Sequence, residues 1–150
     1  MVWEFASHFT QLHCTCKNGD EHVLEVRVEG VPDPEGDAWF YYARPSAAQY
    51  RGSKEYFASF KKIDASLLQV EALKNELPQR YRGCCITCAL IPQVAAAHRA
   101  RIRSSRSLAH GELRTEAATR TWERMVREGT ASFEPTEDRF HHPPLTKRDA

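Results

Sequence analysis

The five cysteines are the residues whose type and spacing most directly suggest chemistry. Four of them form two close pairs, Cys14 with Cys16 and Cys85 with Cys88, and 68 residues lie between the pairs. A tetrahedral zinc ion is commonly held by four thiolates, and two close pairs supply two ligands from each of two segments. The spacing therefore predicts a structural zinc site formed by Cys14, Cys16, Cys85 and Cys88.

The same cysteines allow two other interpretations. Cysteines often serve as small buried hydrophobic residues, and the C-x-x-C segment 85–88 is also typical of thiol–disulfide chemistry. A redox site would need a strand running into Cys85, and residues 79–83 do not have the pattern of a buried strand. His13 and His22 are possible replacements for one zinc ligand. With an odd number of cysteines and no signal-peptide pattern, a secreted disulfide framework is not expected.

Arginine is unevenly distributed along the chain. The formal net charge is +1, but residues 79–127 contain ten arginines, three glutamates and no lysine, which gives this window a charge of +7. Guanidinium groups make paired hydrogen bonds to phosphates and carboxylates, so the composition favours an acidic partner, either a protein surface or a nucleic acid. The alternative is a solvated surface without a partner. The candidate partner-binding residues are Arg80, Arg82, Arg99, Arg101, Arg103 and Arg106.

Common catalytic motifs are absent from the sequence. It has no G-x-S-x-G nucleophile elbow, no phosphate loop, no dinucleotide-binding glycine pattern and no H-E-x-x-H motif. We therefore expect a non-enzymatic interaction module or a subunit of a larger assembly. Binding of a nucleic-acid phosphate backbone is the second interpretation, and a C-x-x-C thiol oxidoreductase is the third.

The bulk composition is that of an ordinary globular protein, with 41% hydrophobic and 27% charged residues. A length of 150 residues predicts one domain, and no run approaches the roughly 18 apolar residues of a membrane-spanning helix. The residues after Met1 lack the pattern of a secretory signal or transit peptide. We expect a reducing intracellular compartment, cytoplasmic by default, or an organelle if a targeting segment has been removed.

The elements that would position the first cysteine pair are strands. Residues 9–16 and 22–29 alternate loosely between apolar and polar residues, and Asn18-Gly19 between them suits the positive φ angles of a tight hairpin turn. The aromatic run 38–43 predicts a third strand. Cys14 and Cys16 would then lie on the first strand of the hairpin.

The rest of the chain predicts helices. They are expected from Ser53 onward, over about 65–77, over about 88–103 and over about 107–128. The second is the clearest, because it combines an apolar face with a capping-box spacing at Ser66 and ends before Pro78. Residues 134–150 would form a polar, proline-containing tail. The predicted fold is a single α+β domain, residues 1–133, with a three-stranded antiparallel sheet packed on about four helices and possibly stapled by zinc.

Overall fold

In the residues that the computed structural model describes, 9–46 and 54–146, the fold is built on one mixed β-sheet. The strands are β1 (Gln11–Thr15), β2 (Glu21–Val31), β3 (Ala38–Pro45), β4 (Tyr56–Asp64), β5 (Leu67–Asn75), β6 (Arg101–Arg103), β7 (Ser132–Glu134) and β8 (Arg139–His142). The helices are α1 (Ile86–His98) and α2 (Glu116–Arg127), with short 3-10 helices at Gln79–Cys84 and Leu108–His110. The strand order across the sheet is β1-β2-β3-β4-β5-β6-β8-β7.

The first five strands form an antiparallel meander in which each strand pairs with the next along the chain. β1 and β2 make the hairpin that the sequence predicts. Gly19 has a φ of 89°, and its N–H donates to the carbonyl of Cys16, so the turn uses the conformational freedom of glycine. The predicted third strand is β3.

The prediction of an α+β domain with about four helices is wrong. The segment 65–77, which has the clearest helical pattern, is mainly β5, and the segment after Ser53 contains β4. β5 pairs with β4 on one side and, at its start, with β6 on the other. This pairing outweighs the helix propensity of its Leu, Ala, Glu and Lys residues. Ser66 caps no helix; its N–H donates to the Asp64 carboxylate in the turn between β4 and β5.

Two helices are present in the second half of the described chain, and both are shorter than predicted. α1 ends at His98, after which Arg99 adopts a φ of 50° and the chain continues as β6, parallel to β5. α2 begins after Thr115, whose hydroxyl accepts a hydrogen bond from the N–H of Ala118. This N-cap satisfies one of the free donors in the first turn of the helix.

The segment predicted as the start of a polar tail completes the sheet. β8 lies between β6 and β7 and is antiparallel to both. Its Phe140 is 4% exposed and stacks on Trp122 of α2 with 5.8 Å between the ring centroids. This buried aromatic contact explains why a short segment after Pro135 is ordered into a strand.

The sheet has two different faces. We call the inner face the one that carries the buried core, and the outer face the opposite one. Both helices pack on the inner face, where they bury six large side chains: Ile86, Leu90, Ile91, Val94, Trp122 and Met125. α1 contacts β1 as well as β6, so the sheet curls around this helix. Residue pairing places Arg103 and Tyr42 on the outer face.

Candidate functional site

The end of the β1–β2 hairpin and the segment before α1 bring several sulfur and imidazole groups together. Cys16 follows β1, and the 3-10 helix before α1 ends at Cys84. The N–H of Lys17 donates to the carbonyl of Gly83, which ties the two segments together. His22 lies near the start of β2, opposite Cys14. The hairpin turn and the 3-10 helix are therefore the elements that build this cluster.

Three residues of the cluster have ligand atoms within 4.8 Å of one another: Cys16, His22 and Cys84. Cys16 and Cys84 are buried, and His22 is half-buried with its ring edge against Tyr81, 4.7 Å between centroids. Thiolate and imidazole groups at this separation are suitable metal ligands. Cys16 and His22 are among the ligands predicted from the sequence, and Cys84 is not.

The sulfurs in this region form two disulfides, Cys16–Cys84 and Cys85–Cys88. Neither disulfide was predicted from the sequence, which argues only against a secreted disulfide framework. A sulfur in a disulfide cannot serve as a thiolate ligand, so the metal-binding group requires reduction of Cys16 and Cys84. We name these four cysteines together with His22 the cysteine–histidine cluster.

Cys14, one of the four predicted zinc ligands, has a different environment. It is 2% exposed on the inner face of the sheet, and it is the free cysteine of the described chain. Burial raises the pKa of its thiol to about 11. A buried, protonated thiol behaves as a small hydrophobic residue, which is one of the alternatives that the sequence left open.

The C-x-x-C segment lies at the start of α1. Cys85 precedes the helix with a φ of 44°, and Cys88 lies in its first turn. The residues before Cys85 form a 3-10 helix rather than the strand that a redox motif of the thioredoxin type requires. Free N–H groups at the start of a helix nevertheless stabilise a thiolate, so this position favours reactive sulfur once the disulfide is reduced.

The candidate arginines are distributed over several elements. Arg101 and Arg103 lie on β6, where spacing by two places both on the outer face and Ile102 in the core. Nε of Arg103 donates to Oε1 of Gln69 at 2.8 Å, and the same oxygen accepts from Arg139 at 2.9 Å. Burial, and then the charge of Arg139, lower the pKa of Arg103, but a guanidinium remains charged at any physiological pH.

The other candidate arginines are not gathered at one point. Arg99 is exposed at the end of α1, and Arg106 is exposed and pairs with Glu112 at 3.3 Å. Arg80 and Arg82 belong to the 3-10 helix that leads to Cys84. Four of the six therefore lie on or next to β6, and two lie in the element that builds the cysteine–histidine cluster.

A polar centre around Asp138 was not predicted from the sequence. One carboxylate oxygen accepts from the hydroxyl of Ser107 at 2.6 Å and contacts Nδ1 of His110 at 2.7 Å. The other oxygen accepts from Arg114, also at 2.7 Å, and the Arg114 side chain is only 6% exposed. Burial by itself raises the pKa of the Asp138 carboxyl. The hydrogen bonds from Ser107 and Arg114 lower this pKa by more than burial raises it, so the pKa lies well below its usual range.

The Ser107, His110 and Asp138 side chains do not form a catalytic triad. In a triad, the serine and the carboxylate contact opposite nitrogens of the histidine ring. Here the hydroxyl and the imidazole share one carboxylate oxygen, and the Ser107 Oγ lies 3.4 Å from the same Nδ1. The arrangement fixes the loop between β6 and α2 to the start of β8. No sequence spacing marks it, because 28 positions separate His110 from Asp138.

In the part of the chain that the structure describes, no helix is long and apolar enough to cross a membrane. Comparison of the chain with models of known protein families, with curated proteins and with solved structures found no match in any of the three.

Proposed function

We propose that this chain is a non-enzymatic binding module. The outer face of its sheet, at β6, would bind the acidic surface of a protein partner. The observation that carries the proposal is the strand spacing of Arg101 and Arg103, which presents two guanidinium groups side by side on a face that neither helix covers. Arg99 and Arg106, both exposed, flank this strand in sequence. Their charges add to an electropositive rim.

Hydrogen bonds hold these groups in defined positions. Arg103 is fixed by the neutral side chain of Gln69, and Arg101 donates to the carbonyl of Pro143. Side chains that are already ordered lose less conformational entropy when a partner binds, which favours recognition of a carboxylate surface.

A protein partner fits this surface better than a nucleic acid. Glu112 pairs with Arg106 and Arg139, and Glu137 pairs with His141, so two carboxylates stand among the basic groups. A continuous phosphate backbone would be repelled by them, because it cannot place its charges selectively. Separate carboxylates on a protein surface can pair with the arginines and avoid the glutamates.

We predict that the double change Arg101→Gln and Arg103→Gln weakens binding of an acidic probe about tenfold or more. Each lost surface ion pair contributes up to about 1 kcal/mol, and 1.4 kcal/mol corresponds to a factor of ten. The matched control replaces Arg120 and Arg127, two exposed arginines of α2, with glutamine. Fluorescence anisotropy with a labelled poly-glutamate peptide, over a salt series, measures the effect.

The control variant carries the same change in net charge, so equal losses in both variants would show only non-specific attraction and would contradict the proposal. A single-stranded oligonucleotide is titrated in parallel. If it binds more tightly than the peptide and loses affinity steeply with salt through β6, the partner is a nucleic acid.

We also propose that zinc is the ion for the metal-binding group of Cys16, His22 and Cys84. Support comes from the donor atoms, since mixed sulfur and nitrogen ligands are typical of zinc sites. Protein purified and kept under a reducing agent should contain about one zinc per chain by elemental analysis. Chelation should then lower its melting temperature, because metal bound only by the folded state adds to its stability. Reduced, folded protein without metal affinity would contradict this proposal.

A further inference from the structure

The cysteine–histidine cluster contains more ligands than its three-residue group. Cys84 and Cys85 are consecutive, and the second disulfide, Cys85–Cys88, begins at the residue next to a sulfur of the first. A four-coordinate zinc site needs one ligand beyond Cys16, His22 and Cys84. Cys85 and Cys88 lie close to Cys84 in the chain, and a thiolate from either one would be the fourth ligand and the third sulfur of the site.

The two disulfides and the metal site draw on the same sulfurs. Cys16 and Cys84 can either bond to each other or ligate a metal with His22, and a sulfur cannot do both. The two states have different requirements, because the disulfides need an oxidant and the metal needs deprotonated thiols. Both states hold the hairpin against the start of α1, across a sequence separation of 68.

We propose that the cluster is a redox-gated zinc site. When reduced, it binds zinc through Cys16, His22, Cys84 and one sulfur of the 85–88 pair. When oxidised, it forms the two disulfides and releases the ion. This inference rests on the zinc binding proposed above and adds the fourth ligand and the control by oxidation.

The chemical balance of the exchange is simple. The zinc form has three thiolates and one thiol among these four cysteines. Formation of the two sulfur–sulfur bonds releases four electrons, one proton and the zinc ion. Two molecules of hydrogen peroxide accept the electrons, and each is reduced to two waters with uptake of two protons. Two molecules of a dithiol reductant, each oxidised to a disulfide, return the four electrons and restore the ligands.

The test uses the full chain, reduced and loaded with one equivalent of zinc. Hydrogen peroxide is added while a chromogenic chelator reports free zinc and a thiol reagent counts free cysteines. We expect release of about one zinc per chain, together with a fall from five free thiols to one. The remaining thiol should map to Cys14 by peptide mass analysis, and reduction should restore zinc binding.

Two variants and a spectroscopic measurement assign the ligands. His22→Ala should weaken zinc binding by at least about a hundredfold, beyond the 10–100-fold typical of residues outside the ligand set. The matched control, His13→Ala, changes a histidine of the same hairpin that is exposed on the outer face. If the His22 variant does not fold, cobalt(II) in the unmodified chain gives a second readout. Its visible and charge-transfer bands should indicate a tetrahedral site with three thiolates.

The possible failures can be distinguished. A reduced, folded chain that takes no zinc overturns the zinc proposal itself. A chain that binds zinc but keeps it while its thiols are oxidised overturns only the redox control. Equal zinc affinity in the His22 and His13 variants, or a cobalt spectrum without three thiolates, overturns the ligand set. None of these results bears on the binding surface at β6.

Discussion

Replacement of Trp122 by alanine should lower the free energy of unfolding by about 3–5 kcal/mol, the range for removal of a large buried aromatic side chain. Trp122 is fully buried on α2 and stacks on Phe140 of β8, with an angle of 16° between the ring planes. The substitution therefore leaves a cavity where the helix meets the end of the sheet. Urea unfolding followed by circular dichroism measures the change.

The matched control for this experiment is Val126→Ala on the same helix. Val126 is 38% exposed, so its truncation should change the free energy of unfolding by no more than about 0.5 kcal/mol. Similar losses in the two variants, or a loss below about 1 kcal/mol for Trp122, would show that α2 does not pack on β8 as described.

The change Asp138→Asn should lower the free energy of unfolding by about 3 kcal/mol at neutral pH, the lower end of the range for breaking a buried ion pair. The Arg114 side chain is 6% exposed and that of Asp138 is 13% exposed, so the asparagine would leave a nearly buried guanidinium without its counter-charge. The amide also presents a donor where the carboxylate accepts hydrogen bonds from Ser107 and Arg114. Thermal and urea unfolding over a pH series measure the difference.

The pH dependence of this variant follows from the lowered pKa of Asp138 in the folded chain. An unfolded aspartate has a pKa of about 3.9, so the stability that the ionised group contributes is fully present above that value. It is lost as pH falls through the folded pKa, because protonation then occurs in both states. The gap between the original chain and Asp138→Asn should therefore be constant at neutral pH and shrink below about pH 4.

A conservative change elsewhere serves as the control for this series. Glu123→Gln removes an exposed carboxylate of α2 and should leave the free energy of unfolding within about 0.5 kcal/mol at every pH. If the Asp138 deficit persisted unchanged at pH 2, ionisation of this carboxylate would not be the source of the stabilisation.

Local sequence signals were sufficient to predict the strands that flank a tight turn. The Asn18-Gly19 pair and the alternation on both sides of it predict β1 and β2, and the aromatic run predicts β3. The N-cap of α2 was not identified, because the predicted helix started at residue 107, before the loop that Asp138 holds in place. A turn is specified by adjacent residues, and a loop anchored across the fold is not.

The misassigned elements have their cause in pairing between distant residues. The sequence of β5, with Leu67, Val70 and Leu73, fits one face of a helix, and its backbone hydrogen bonds to β4 and β6 cannot be read from the sequence pattern. In the same way, residues 101–103 were included in the helix predicted over about 88–103, although arginines spaced by two have the repeat of a strand face. The two arginines on either side of Ile102, Arg101 and Arg103, were the available sequence signal for β6.

The candidate site was predictable in part. The sequence named Cys16, the 85–88 pair and His22, but it could not choose among partners for Cys16, because sequence spacing does not determine which sulfurs meet. Cys84 was overlooked although it directly precedes Cys85. Its role depends on the 3-10 helix, which turns the chain so that Cys84 faces the hairpin.

The order of elements along the chain has a consequence for its synthesis. The strands β1 to β5 pair with sequential neighbours, so the meander can form as it emerges from the ribosome, because contacts close in sequence need little loop closure. The helix that covers its apolar face is α1, which follows all five strands. Until α1 arrives, side chains such as Leu24 and Phe60 lie on an uncovered sheet. A chain stalled or truncated before residue 86 would therefore be a substrate for chaperones and a source of aggregates.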